Sequence, residues 1–398
     1  MIDSSYKLAF VEFGEQGSYR EPGQLERALD LIRRTNKPLV ITYVHGWQNN
    51  AGSGDVDSFS SFLRELSQSR LIKANDYHIV GIYLGWRGAL TKVPIVKYGT
   101  FFSRKTAAER LASNCDCFDA IASVTQTARA HSEGQYTILI GHSFGGLIVE
   151  RAVARALDQI NHGMSDTTKG TPADTILLFN PASDSILTRQ TLQQLNGNAT
   201  DSTQPFIVSL TSKKDFDTGV YFKMGMTLDS ITKRFDKVRI GDHVASERRF
   251  YTTSPGHDDF LINHTTQKIV ETIPQPPGWT AFDYNLAHTA AERKFATEGK
   301  QTGTFDLWQC QATESLPGPY WDVAVNKEII KDHGDIWNVR ARAMMAALVR
   351  INIPFTHRVS PPEIVGATAN TGPTRLQAPV PALPRKHDFQ KLHYQQGN

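Results

Sequence analysis

Cysteine is scarce: three occur in 398 residues. Cys115 and Cys117 stand two apart on a predicted helix, where they point to different sides, and Cys310 is remote. Neither a disulfide framework nor a metal-ligand spacing can be built from them. A reducing, cytoplasmic compartment is the expectation. Long apolar runs are also missing, and none reaches the ~18 residues of a spanning helix. Charge of one sign does not dominate. The 43 basic and 40 acidic residues leave a net charge of +3, with no Lys/Arg block, so nucleic acid is not an expected partner. The opening residues carry an acidic side chain at position 3 and no basic stretch before an apolar one. They do not read as a secretory leader, and export without one stays open. No internal repeat is visible.

What is present is enough apolar material, 40% of the chain, for a large core. From residue 6 to about 211 apolar runs alternate with helical patterns. Strands are expected at 8–13, 38–46, 78–86, 136–141, 174–182 and 205–212. Helices are expected at 24–32, 58–66, 105–130 and 145–160, the last with Gly163 as its C-cap. The run "PLVITYVHG" is apolar almost throughout, as in a strand covered on both faces. The rhythm implies an α/β fold with a mostly parallel sheet and flanking helices. Residues 1–212 form the first part of that core. Residues 213–320 are polar and break the pattern, so an inserted cap is expected there. Residues 321–354 return as the last strand and helix, and 355–398 are Pro-rich and expected to be disordered.

The stretch "TILIGHSFGGLIVERAV" (137–153) joins the strand at 136–141 to the helix at 145–160. Between them Gly141-His142-Ser143-Phe144-Gly145 matches G-x-S-x-G, a nucleophile elbow. The serine would sit on a tight turn with its hydroxyl outward. Side chains at the two glycine positions would collide where strand and helix pass closely. The helix would then aim its N-terminal amides at the serine. An oxyanion needs such amides. Phe144 would supply one. The loop "YVHGWQNNAGSG" would supply the other, from Trp47 first and Gly46 second. His45 reads as a structural histidine bracing that loop.

A strand ending in His-Gly, a strand ending "YLGWRG" and then G-H-S-F-G-G after a third resemble the α/β-hydrolase superfamily. More narrowly they are similar to its esterase- and lipase-like bacterial and fungal members. The resemblance spans roughly residues 8–353 and implies a serine, acid, histidine triad in that order. The acid is expected after the strand at 205–212, where "SKKDFDT" offers Asp215, with Asp217 as the alternative. Asp184 in "NPASDS" ranks third. The base is expected between the last strand and helix, as His333 in "KDHGDIW", with Asp335 as an N-cap and Asp332 facing solvent. His257 is next, and His264 is a further rival in the same loop.

Residues 84–105 mix Val93, Ile95, Val96, Tyr98, Phe101 and Phe102 with Lys92, Lys97, Arg104 and Lys105. They read either as a lid near an anionic headgroup or as an ordinary packed loop. Arg87 is read as a loop anchor. Residues 217–235 offer Tyr221, Phe222, Met224, Met226 and Leu228 as further walls of a pocket, or as core filler. The expected function is hydrolysis of a carboxylic ester, lipid or acyl, through Ser143, Asp215 and His333. Neither metal nor organic cofactor is required, and the substrate is a small molecule or a lipid, with transient membrane contact. A phospholipase-type secreted effector and a non-catalytic binding scaffold are the alternatives.

Overall fold

A computed structural model provides the structure. It describes residues 2–3, 5–47, 49, 51–52, 54–88, 101–131, 135–163, 171–197, 205–240, 243–267, 300–302, 305–309 and 319–353. The expected tail at 355–398, residues 89–100 of the expected lid and Cys310 lie outside them.

Strands in chain order are β1 (Ile2–Asp3), β2 (Tyr6–Glu12), β3 (Pro38–Val44), β4 (His78–Gly85), β5 (Tyr136–His142), β6 (Thr175–Phe179) and β7 (Ile207–Ser212). After them come β8 (Lys237–Ile240), β9 (His243–Ser246), β10 (His264–Gln267), β11 (Lys300–Thr302), β12 (Phe305–Gln309) and β13 (Tyr320–Val325). The main sheet runs β1-β2-β4-β3-β5-β6-β7-β13-β10-β12-β11. Every neighbouring pair from β2 to β10 is parallel, and antiparallel strands stand at both ends. β8 and β9 form a separate hairpin.

The helices are α1 (Gly23–Arg33), α2 (Gly54–Gln68), α3 (Arg70–Ala74), α4 (Phe101–Ser113), α5 (Cys115–His131), α6 (Phe144–Asn161), α7 (Ser185–Gly197), α8 (Lys223–Asp229), α9 (Glu247–Thr252) and α10 (Val339–Asn352). Alternate strand residues face opposite layers, because side chains alternate across a strand. In β3, Leu39, Ile41 and Tyr43 pack with α2, α3 and α10, while Val40 and Val44 pack with α1 and α4 to α7. Both faces of the sheet are therefore buried, which is why its strands read as unbroken apolar runs. This is the mostly parallel sheet with flanking helices that the sequence led us to expect.

Three local differences from expectation have clear causes. The helix expected at 105–130 is two helices. Asn114 ends α4, and its side-chain oxygen accepts from the Asp116 amide at 2.8 Å, capping α5. The last helix starts at Val339, not Asp335. Asn338 is its cap, accepting from the Arg340 and Ala341 amides at 2.8 and 3.0 Å. Asp335 instead accepts from the Lys331 amide in the loop before it. Finally, the stretch 213–320, expected as an inserted cap, contributes β10, β11 and β12 to the main sheet. The short polar run "HTTQ" carries no apolar signal, and it pairs through its backbone with β13.

Cys115 is exposed and Cys117 buried, on different sides of α5. None of the described helices is long and apolar enough to cross a membrane.

Candidate active site

Parallel strands deliver all their following loops to one sheet edge. β3 leads to His45–Trp47, β5 to Ser143, β6 to Asn180, β7 to Asp215, and β13 to the loop carrying His333. Residues far apart in sequence meet there for that reason.

Ser143 has φ 55° and ψ −121°, a conformation costing a non-glycine residue about 1–3 kcal/mol. Backbone bonds on both sides impose it. The Ser143 amide donates to Phe179 O at 3.0 Å, and Ser143 O accepts from Ala182 and Leu147 amides at 3.0 and 3.2 Å. The turn brings α6 against β3. A Cβ on Gly145 would stand 2.1 Å from Val44 O, and one on Gly141 would stand 2.8 Å from Gly145 O. The glycine spacing is therefore a packing requirement.

Ser143, His333 and Asp215 form one hydrogen-bonded chain. Ser143 Oγ lies 2.7 Å from His333 Nε2, and His333 Nδ1 lies 2.8 Å from Asp215 Oδ2. Ser143 and Asp215 are buried, whereas the His333 side chain keeps 16% of its surface exposed. Asp215 Oδ1 accepts from the Asp217 and Thr218 amides at 2.9 and 3.1 Å, and the Thr218 hydroxyl donates to Oδ2. Burial opposes charge on Asp215, but His333 and these donors outweigh it and hold its carboxyl below the usual range. Burial likewise opposes charge on His333, and the Asp215 carboxylate outweighs it, raising the imidazole pKa. With Nδ1–H committed to Asp215, Nε2 presents its lone pair to the serine hydroxyl.

The other candidates occupy different places. Asp217 stands beside the chain and donates its amide to Asp215. Asp184 accepts from the Leu187 amide at the start of α7. His264 is buried in β10, stacked on Trp321 at 4.4 Å, with its pKa pushed down to about 3 by burial. His257 lies behind the acid, its Nε2–H donating to Thr218 Oγ1 at 3.1 Å. His45 is fully buried between Trp86 and Tyr83. Its Nδ1–H donates to Gly46 O at 2.9 Å, and its Nε2 accepts from the Trp86 amide at 3.0 Å. That bracing role is the one expected.

For the expected oxyanion donors, Phe144 opens α6, so its amide is among the four that a helix leaves unpaired. Gly46 lies directly against the serine. A Cβ there would stand 2.8 Å from Ser143 Cβ and 2.9 Å from His142 Nδ1. Trp47 follows it, its ring 6.4 Å from Phe144 and 6.0 Å from Phe101. Sequence reasoning missed Asn180. It is buried at φ 43°, donates to His333 O at 2.9 Å and Asp332 O at 3.3 Å, and accepts from the Ser212 amide. Ser212 Oγ donates to Ile330 O in the same loop. An asparagine and a serine at strand ends are the only sequence signal for either.

Of the residues considered for a lid, Arg104 and Lys105 turn into the protein. Arg104 donates to Glu15 at 2.9 Å and to Arg87 O at 2.7 Å, and Lys105 pairs with Glu109. They are packing residues, not headgroup ligands. Of the expected pocket walls, Phe222 and Met226 are buried, while Tyr221, Met224 and Leu228 face outward.

No family profile matches the chain, and no curated protein matches it. Among solved structures it is similar to an FAE, a feruloyl esterase, at 12% identity and a TM-score of 0.30, covering 82% of this chain and 81% of that one. It is also similar to a lipase-esterase related protein from Clostridium acetobutylicum, at 15% identity and a TM-score of 0.19. That match covers 42% of this chain and 52% of that one. At these scores the likenesses bear on neither substrate nor mechanism.

Proposed function

We propose that the protein is a serine hydrolase of carboxylic esters. The observation that carries this reading is the bonded sequence Ser143 Oγ, His333 Nε2, His333 Nδ1, Asp215 Oδ2 at 2.7 and 2.8 Å. It is the arrangement that turns a weak hydroxyl into a nucleophile. Ser143 Oγ attacks the acyl carbon as its proton passes to His333 Nε2. Asp215 stabilises the imidazolium and keeps its orientation. The oxyanion is received by the Phe144 amide, with Trp47 or Gly46 as second donor. His333 then gives its proton to the departing alcohol. Water, activated by the same nitrogen, releases the acid and restores the serine.

The substrate reading is a lipid or other acyl ester. Its support is apolar: Trp47, Phe101, Phe144 and Phe222 cluster beside the elbow. A phospholipase-type activity is the second reading, favoured by the exposed Tyr221, Met224 and Leu228 on the helical run that follows Asp215.

Labelling with a fluorophosphonate tests the reading. The wild type should label, and Ser143→Ala and His333→Ala should not. A folded wild type that refuses the probe overturns the hydrolase and leaves a binding scaffold. Labelling that survives His333→Ala displaces that histidine as the base.

A further inference from the structure

The residues after Asp215 form one helical run. A π-helical turn (Asp217–Phe222) leads into α8 and ends in a 3-10 turn (Ser230–Thr232). It is apolar on two opposite faces. Phe222, Gly225 and Met226 are buried toward the protein, with Phe222 6.3 Å from Phe101. The opposite face carries Tyr221, Met224, Leu228 and Ile231, which are 39, 58, 61 and 68% exposed. Their spacing is helical, so they form one stripe. Phe216, 60% exposed, extends it through a 5.5 Å ring contact with Tyr221. Five of the eight exposed large apolar side chains among the described residues thus gather here. Surface apolar residues with no role are scattered singly, and a gathered patch marks a contact.

The border of the stripe is basic. Lys213, Lys214, Lys223, Lys233, Arg234 and Lys237 are exposed within the stripe's own run or in the chain flanking it. Fewer acids oppose them: Asp229 pairs with Lys233, which leaves five basic residues against Asp217 and Asp236. A second copy meeting this face about a two-fold axis would set the basic border against itself. A bilayer carrying anionic headgroups fits both parts, with acyl chains taking the stripe and phosphates the ammonium groups.

We propose that the outward face of residues 216–231 docks the protein on an anionic phospholipid surface. The docking stands on the helix alone. Its consequence, that ester substrates reach Ser143 from that surface, rests on the hydrolase reading. Phe216 adjoins Asp215 in sequence, so the docked face begins next to the acid of the triad.

Co-sedimentation with vesicles tests it, using Ser143→Ala protein so that the lipid stays intact. Vesicles of phosphatidylcholine alone are compared with vesicles containing phosphatidylglycerol. Binding is expected to the second, to weaken with salt, and to fall at least about tenfold in Met224→Asp/Leu228→Asp. In the Ser143 background that double variant should hydrolyse a short water-soluble ester within about twofold of wild type, since both side chains are exposed. No binding to anionic vesicles, or equal binding by the double variant, overturns the proposal. So does a wild-type dimer that the double variant converts to monomer, which would assign the face to a second copy. Vesicle binding by a wild type that hydrolyses no short ester sinks the hydrolase reading and leaves the docking intact.

Discussion

His142 Nε2–H donates to the carbonyl oxygen of His333 at 2.8 Å. The residue next to the serine therefore grips the backbone of the histidine that contacts it. Burial first, and then the charge of His333, push the His142 pKa down to about 4, so the ring is neutral at ordinary pH. Asn180 donates to the same carbonyl at 2.9 Å. Two buried donors from adjoining strand ends thus fix a loop that arrives from far along the chain. The His142 ring stands where a Cβ on residue 46 would meet it.

His333 can take a proton only when neutral. Burial alone would lower its pKa, but Asp215 overrides that and raises it above the usual ~6.5. Activity should fall as pH drops through a midpoint above that value. In Asp215→Asn the midpoint should move down and the rate should drop by roughly 10⁴. A pH–rate profile of both proteins checks this. An unmoved midpoint would assign the limb to another group.

The Thr218 hydroxyl donates to Asp215 and is itself held by His257. Thr218→Val keeps the shape and removes a donor from a buried carboxylate, a loss of about 1.5–3 kcal/mol in stability. With less of its charge satisfied, Asp215 should hold the His333 proton harder, moving the activity midpoint to higher pH. Thr218→Ser should return it. Denaturant unfolding and the pH profile read the two effects separately, and a midpoint unchanged in Thr218→Val would reduce the residue to packing.

Gly46 and Gly145 should fail in different ways. A Cβ at 145 meets Val44 O at 2.1 Å and His45 O at 2.6 Å, backbone of a central strand and its exit. Gly145→Ala should cost about 3 kcal/mol or more in stability. A Cβ at 46 meets Ser143 Cβ and the His142 ring. Gly46→Ala should displace the serine and reduce kcat by ~10²–10³, with a smaller effect on melting. Equal melting temperatures for the two variants would count against this account.

Glu150, in α6, is fully buried and accepts from Ser183, Thr188 and Tyr320 at 2.5, 2.7 and 3.0 Å. Burial raises its pKa from 4.5 to about 7, against those hydroxyl donors. Between these values the native state binds the proton and the unfolded state does not. Stability should therefore fall as pH rises across the window, on the order of 3 kcal/mol from this group. Asp322, raised by burial to about 7, adds in the same direction. Glu150→Gln should flatten the melting temperature between pH 5 and 8 without abolishing its slope. Parallel curves for variant and wild type would rule out Glu150 as a source.

The strands were legible because burial on both faces leaves unbroken apolar runs such as 38–44. Ser143 was legible because close passage of a strand and a helix forces glycines around it. The loops carrying Asp215 and His333 follow recognisable strands, and parallel strands bring such loops to one edge. β10 was not legible, since backbone pairing alone holds "HTTQ" in the sheet. Nor was α7, whose sequence "SILTRQTLQQLNG" carries little apolar periodicity. Asn180, Ser212, Thr218 and His257 act through hydrogen bonds made only after folding. A lone polar residue at a strand end does not announce its partner.

β13 lies between β7 and β10, and both precede it in the chain. The strand that brings His333 to the site is thus seated after its neighbours have been made. Until residue 325 is available, the edge of β7 that faces away from β6 is unpaired, and such an edge invites pairing with other chains. The histidine loop can close on Ser143 only once that strand is in place. A chain stopped short of β13 would therefore be both idle and prone to aggregate, and assembly of the site coincides with sealing of the sheet.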